Sequence, residues 1–245
     1  MKYSGKKAVV TGGTHGMGLA VVRALADGGA EVLATGRDVS GLDLPAHLLS
    51  SDASSLADID SLASVAADTL GSVDLVFINV GFATLTPFSE TTPEIYDRTF
   101  DVNAKGAYFT AQRLAGLVRP GGSFVFTTSV AAGAGIAGMG PYSAAKAAVR
   151  SFALTYAAEL APRGIRVNVV SPGYTDTPTM GVTGVPSSVL AAFKATGDEV
   201  TPLKRHARPE EVAAAVLFLA FEATFTTGAD LPVDGGLGQR LTLPA

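Results

Sequence analysis

A short apolar run at residues 7–11 leads into Thr11-Gly12-Gly13-Thr14-His15-Gly16-Met17-Gly18, and an Ala-rich stretch with helical spacing follows at once. A strand, a glycine turn and a helix packed into so few residues leave the chain little freedom. Glycines let the backbone turn sharply and approach a ligand without a Cβ in the way. The helix then presents its unpaired N–H groups and a partial positive charge at its amino terminus, which suits a phosphate. The spacing Gly12-x-x-x-Gly16-x-Gly18 is a looser relative of the dinucleotide fingerprint. It predicts that Gly12, Thr14, His15, Gly16, Met17 and Gly18 cradle the phosphates of a dinucleotide.

The rest of the chain keeps the same alternation. Further β-rich runs lie at 31–35, 48–51, 75–79, 123–128, 166–171 and 229–233, and several are almost wholly apolar. That is the pattern of parallel strands covered on both faces. Helical stretches lie between them at 17–27, 55–70, 93–118, 142–160 and 209–221, with glycine or proline near most of their ends. The expectation is an α/β fold: a single Rossmann-like domain over 1–245, its doubly wound parallel sheet of about seven strands flanked by helices. Pro232 within the last strand removes a donor and suits an edge or a bulge. The segment 173–208 is rich in Pro and Gly around one amphipathic piece at 187–195. Its length predicts a substrate lid rather than a passive surface insertion.

Cofactor choice should be settled after the second strand. A carboxylate there would accept hydrogen bonds from a ribose 2′-OH and repel a 2′-phosphate. The chain has Gly36 and Arg37 instead. A guanidinium fork suits a phosphate, so Arg37, helped by His15, points to NADP(H) over NAD(H), with NAD(H) still possible.

Composition removes several alternatives. The 245 residues contain no Cys, which excludes disulfides, thiolate metal sites and Cys nucleophiles and fits a reducing, cytoplasmic setting. The net charge of −4 comes with no basic stripe for nucleic acid. The longest charge-free stretch, between Arg119 and Lys146, is broken by Pro and Gly and makes a poor membrane span. No His, Asp and Glu cluster has metal spacing, so no metal is expected. His47 and His206 read as surface residues.

Tyr142 and Lys146 lie four apart on an expected helix and share a face. A phenol ionises near pH 10, about three units too high for a ready base. An adjacent ammonium favours the phenolate and would bring Tyr142 toward neutrality. Ser129 closes the fifth strand at the edge where ligands bind in open α/β sheets, able to hydrogen-bond a substrate oxygen as charge builds on it.

With Ser129, Tyr142-Ser143-Ala144-Ala145-Lys146 and the glycine loop, the chain resembles the classical short-chain dehydrogenase/reductase family over nearly its whole length. The likeness extends to Asp52-Ala53, Asn79-Val80-Gly81, Asn103-Ala104-Lys105-Gly106, Pro172-Gly173 with Thr177, and Val233-Asp234-Gly235-Gly236. It implies cofactor contacts from Asp52, Ala53, Asn79, Val80, Gly81, Pro172, Gly173, Thr175 and Thr177. It also implies that Lys146 holds nicotinamide ribose hydroxyls and that Asn103 fixes a water for a proton relay. Two departures stand out: Val80 adds bulk where the family commonly has Ala, and Thr175 replaces a common aliphatic residue.

By the same analogy Phe82, Ala131, Ala132, Ile136, Met139, Tyr174, Met180, Val182, Val185, Leu190 and Phe193 line a mostly apolar substrate pocket. The expected activity is that of an NADP(H)-dependent carbonyl reductase on a small neutral, moderately hydrophobic ketone or alcohol. The alternatives are a non-catalytic NADP(H) sensor and an epimerase or dehydratase that retains its cofactor. The resemblance implies a homotetramer or dimer.

Overall fold

In the computed structural model, which describes residues 1–178, 182, 186–239 and 241, the apolar runs become seven strands. They are β1 (Lys7–Thr11), β2 (Glu31–Gly36), β3 (His47–Ser50), β4 (Val73–Ile78), β5 (Val118–Thr127), β6 (Arg166–Pro172) and β7 (Asp230–Val233). They form one sheet in the order β3-β2-β1-β4-β5-β6-β7. Every ladder is parallel. Every residue of β4 is buried, as a central strand covered on both faces requires.

Strand alternation divides the core in two. Val10, Ala34, Leu75, Phe77 and Val125 face helices α1 (Gly16–Asp27) and α7 (Pro209–Leu217). Their neighbours Val9, Leu33, Val76, Phe124 and Phe126 face α2 (Leu56–Leu70), α4 (Gly106–Leu114) and α5 (Gly140–Leu160). A residue such as Phe126, fully buried, holds one of these layers at a cost of about 3–5 kcal/mol if cut to Ala. Pro232 falls in β7, an edge strand paired only with β6, where its missing N–H breaks no ladder.

The order of strands also locates the crevice. From β1 the chain winds outward through β2 and β3, then returns across to β4 on the other side. The loops after β1 and β4 therefore part in opposite directions and leave a cleft at the carboxyl ends of the strands.

Three elements depart from expectation, the first being the helix expected over 209–221, which ends at Leu217 and runs on as a π-turn, Phe218–Glu222. The helix expected over 93–118 is interrupted: α3 (Pro93–Phe100) passes through a π-turn, Asp101–Lys105, into α4, and Val118 already belongs to β5. Gly106, just after the π-turn, lies so close to the loop after β3 that a Cβ would stand 2.2 Å from the Ala53 carbonyl oxygen. The amphipathic piece expected at 187–195 continues as α6 (Ser187–Val200) straight through Gly197. Tyr174 and His206 press on that position, so only a residue without a side chain fits there.

Candidate active site

The glycine loop connects β1 to α1 much as its sequence requires. Gly12 and Gly16 have φ of +63° and +52°, a region other residues rarely adopt. A Cβ on Gly18 would stand 2.0 Å from the Gly12 carbonyl oxygen, so this glycine lets the loop fold back on its own helix. His15 takes the N-cap position of α1 without capping it through its side chain, which leaves the first N–H groups to a ligand.

From this loop a cavity of about 320 Å³ runs across the carboxyl ends of the strands. Gly12, Thr14, His15, Gly16 and Met17 line one end with Arg37, Asp52 and Ala53. Asn79, Val80, Gly81, Ser129, Tyr142, Lys146, Pro172, Gly173 and Thr175 line the rest, and Thr177 comes back against Gly16 of the glycine loop. Gly18 and Asn103, both buried, do not line it.

Hydrogen bonds tie the two ends together. Asn79 Nδ2 donates to the Gly12 carbonyl at 3.3 Å, and Thr127 Oγ1 donates to Asn79 Oδ1 at 3.1 Å. The Thr127 carbonyl in turn accepts from Lys146 Nζ at 3.1 Å. Lys146 is only 2 % exposed. Burial pulls its pKa from 10.5 down to about 8.

Tyr142 corrects an expectation. Burial pushes the phenol above its ordinary value, with only the Ser129 hydroxyl pulling the other way. Lys146 Nζ stands 5.8 Å from the centre of the Tyr142 ring, and its donor is directed at Thr127. The Lys146 ammonium adds nothing that lowers it, and burial decides the direction.

Asn103 is fully buried in the π-turn. Its Nδ2 donates to the carbonyls of Phe82 (2.7 Å) and Thr99 (2.9 Å), and its Oδ1 accepts from the Phe82 N–H at 3.1 Å. A Cβ on Gly81 would stand 3.5 Å from both Asn103 Oδ1 and Lys146 Nζ, so these two groups are neighbours across that glycine.

A family model described as enoyl-(acyl carrier protein) reductase matches residues 12–238. The cis-4-hydroxycyclohexanecarboxylate dehydrogenase of Sinomonas cyclohexanicum is 38% identical, the alignment covering 96% of this chain and 97% of that one. This chain is a classical short-chain dehydrogenase/reductase. The L-fucose dehydrogenase of Mus musculus is 34% identical over 96% of this chain and 89% of its own. The ligand-free aldohexose dehydrogenase of Thermoplasma acidophilum superposes with a TM-score of 0.88 at 26% identity, covering 99% of this chain and 98% of that one.

Membership of this dehydrogenase/reductase family implies a nicotinamide cofactor, and the residues present fit one. Two left-handed glycines, an uncapped helix terminus and a buried lysine all open on one elongated cavity. Among the described residues, no helix is long and apolar enough to cross a membrane.

Of the expected substrate-facing residues, Phe82, Ala131, Ile136, Met139, Tyr174 and Phe193 line the cavity. Ala132 and Leu190 do not. Val182 packs behind it with Ala83 and Met139. Met180 and Val185 lie outside the described residues. His206 is buried rather than on the surface: Asp198 meets its Nδ1 at 2.6 Å and Tyr174 meets its ring edge-to-face at 5.5 Å.

Several lining residues had not been anticipated, among them Arg98, Val102, Thr127 and Leu237. Arg98 and Val102 are four apart on one helical stretch, a spacing that could have placed both on the same wall once one was known.

Proposed function

We propose that the enzyme prefers NADP(H) and interconverts a neutral, moderately hydrophobic ketone with its secondary alcohol. One observation carries this reading: Ser129, Tyr142 and Lys146 meet at the end of a cavity whose neighbouring wall is Phe82, Ile136, Met139, Tyr174 and Phe193. Such a wall suits an alicyclic or aryl carbonyl compound better than a sugar covered in hydroxyls, which would leave polar groups unpaired. The cyclohexane-ring substrate named for the Sinomonas relative has a comparable apolar body.

The bound nicotinamide ring would supply or accept the hydride. In the reductive direction the Tyr142 hydroxyl donates a proton to the substrate oxygen while Ser129 Oγ holds that oxygen by a hydrogen bond. Lys146 holds ribose hydroxyls. Asn103, fixed by Phe82 and Thr99, serves the proton path behind Lys146. Arg37, beside the uncharged Gly36, receives the 2′-phosphate with His15 close by.

Segment 173–208 acts as the lid, through Tyr174 and Phe193. The protein assembles as a homotetramer or dimer, using α5, whose Leu154 is exposed, and the free edge of β7. A cytoplasmic location fits the absence of Cys. The sensor reading gains no support from a chain that keeps the whole proton-transfer set in one cavity.

The test is oxidation of NADPH and NADH against a panel of cyclic and aryl ketones, wild type beside Tyr142→Phe. We expect turnover with NADPH, a loss of about 10²–10⁴-fold in the variant, and nearly unchanged nucleotide binding. Equal turnover in the variant would remove Tyr142 from the mechanism, and faster turnover with NADH would remove the role given to Arg37.

A further inference from the structure

Two of the aromatic rings that line the cavity, Tyr174 and Phe193, are held by residues that do not line it. Tyr174 packs on one face of α6. Its ring centre lies 5.1 Å from that of Phe193, and a Cβ on Gly197, four residues further along the helix, would stand 2.6 Å from its Cδ1. A third ring, His206, meets Tyr174 edge-to-face at 5.5 Å, and its Nε2 would stand 2.8 Å from that same Cβ.

His206 is tied at two points. Its Nδ1 lies 2.6 Å from Oδ1 of Asp198, in the last turn of α6. The next residue, Ala207, donates its N–H to the Tyr174 carbonyl and accepts from the Asp176 N–H, both at 2.9 Å. The strand of chain that carries His206 is thus paired with the one that carries Tyr174, and Asp198 joins both to α6.

A carboxylate can only accept, so Nδ1 carries the hydrogen. Nε2 is then left with a bare lone pair, buried and without a hydrogen-bond partner among the described residues. A phenylalanine would fill the same space without an unpaired polar atom. What the imidazole adds is the Nδ1 donor, and that donor is directed at α6.

We propose that Asp198 and His206 are a positioning pair: their hydrogen bond fixes α6 against the Tyr174 ring and so sets the apolar wall that Tyr174 and Phe193 offer the substrate. Neither residue of the pair touches the substrate. This rests on the substrate placement proposed above and names what holds that wall in place.

Steady-state kinetics with NADPH on cyclohexanone and on butanone, for wild type, Asp198→Ala, His206→Phe and the double variant, tests the pair. Asp198→Ala should raise KM for cyclohexanone about tenfold, the low end for a hydrogen bond to a charged group because Asp198 is half exposed. The rise for butanone should be much smaller, since a smaller ketone covers less of the two rings. The turnover number and the NADPH dissociation constant should stay as in wild type. His206→Phe, which keeps a ring but loses the donor, should match Asp198→Ala, and the double variant should be no worse than either. Asp198→Asn, which keeps an acceptor, should recover most of the loss.

An unchanged KM in Asp198→Ala and His206→Phe would overturn the pair. So would effects that multiply in the double variant, or equal losses on both ketones. If wild type turns over no ketone, the proposed function fails, and the pair is decided by fluorescence instead. The chain has no Trp, so Tyr174→Trp gives a single reporter in the wall. Adding Asp198→Ala should move its emission to the red, and an unmoved emission would overturn the pair.

Discussion

The two ends of one sheet treat buried charge in opposite ways. At the amino ends of β1, β4 and β5, Asp74 is 5 % exposed and surrounded by donors. The Lys7 N–H reaches it at 2.9 Å and Lys6 Nζ at 3.2 Å, and the Arg119 guanidinium closes the third side. At the carboxyl ends of the same sheet Lys146 is buried at least as deeply, with one carbonyl as its partner. The first charge is satisfied by the fold itself. The second is kept short of partners, and the site gains an ammonium whose best contacts come with a ligand. Charge at one end serves stability, and at the other it costs stability in return for the role proposed for Lys146.

The contrast is most sharply tested by Lys146→Met. Turnover should fall by about 10²–10⁴-fold, the scale of lost proton-transfer catalysis. The nucleotide-free protein should nevertheless become more stable. With a folded pKa of about 8 against an ordinary 10.5, the unfolded chain binds the proton more tightly. Burying the ammonium therefore costs about 3 kcal/mol at neutral pH. That penalty fades as pH rises from 8 toward 10.5. Urea midpoints at pH 7 should favour the variant, and the gap should shrink by pH 10; a variant less stable than wild type at pH 7 would break the comparison.

Asp74→Ala should do the reverse. Removing the carboxylate leaves Lys6, the Lys7 N–H and Arg119 without their shared acceptor, for a loss of about 3 kcal/mol in urea unfolding. The turnover number of the folded fraction should not change. A change in turnover would mean that the two ends are coupled through the strands.

The smallest effect is expected from Thr127→Val, which keeps the carbonyl that holds Lys146 but removes the hydroxyl that donates to Asn79. About 1 kcal/mol of stability should go. The Michaelis constant for the nucleotide should rise more than the turnover number falls, because the lost bond steadies the glycine loop rather than the proton donor.

Much of this was legible beforehand, and the parts that were not share a cause. Strand positions followed from apolar runs and turn residues, since burial on both faces leaves a mark in composition. The glycine loop was readable because Gly12, Gly16 and Gly18 are each required by backbone geometry. The behaviour of Tyr142 was not, because spacing shows that Lys146 is near but not that its donor turns to Thr127. Arg98 carries no mark in the sequence, and only the fold brings it to the cavity. His206, set between Arg205 and Arg208 in sequence, gave no sign that Tyr174 would cover it. The π-turn left no trace either, since one additional residue in a helix does not disturb an apolar pattern enough to be seen.

That turn has a consequence for how the chain can change length. A π-turn is a helix carrying one residue more than its hydrogen bonds need. Deleting any one residue from 101–105 would yield a continuous helix from Pro93 to Leu114, regular throughout and locally better bonded. The flanking helices would keep nearly their present phase, but the widened turn that holds Asn103 against Phe82 would be gone. A shorter gene would thus encode a tidier helix and a poorer enzyme, so at this point selection for activity has to act on residue count as well as residue identity.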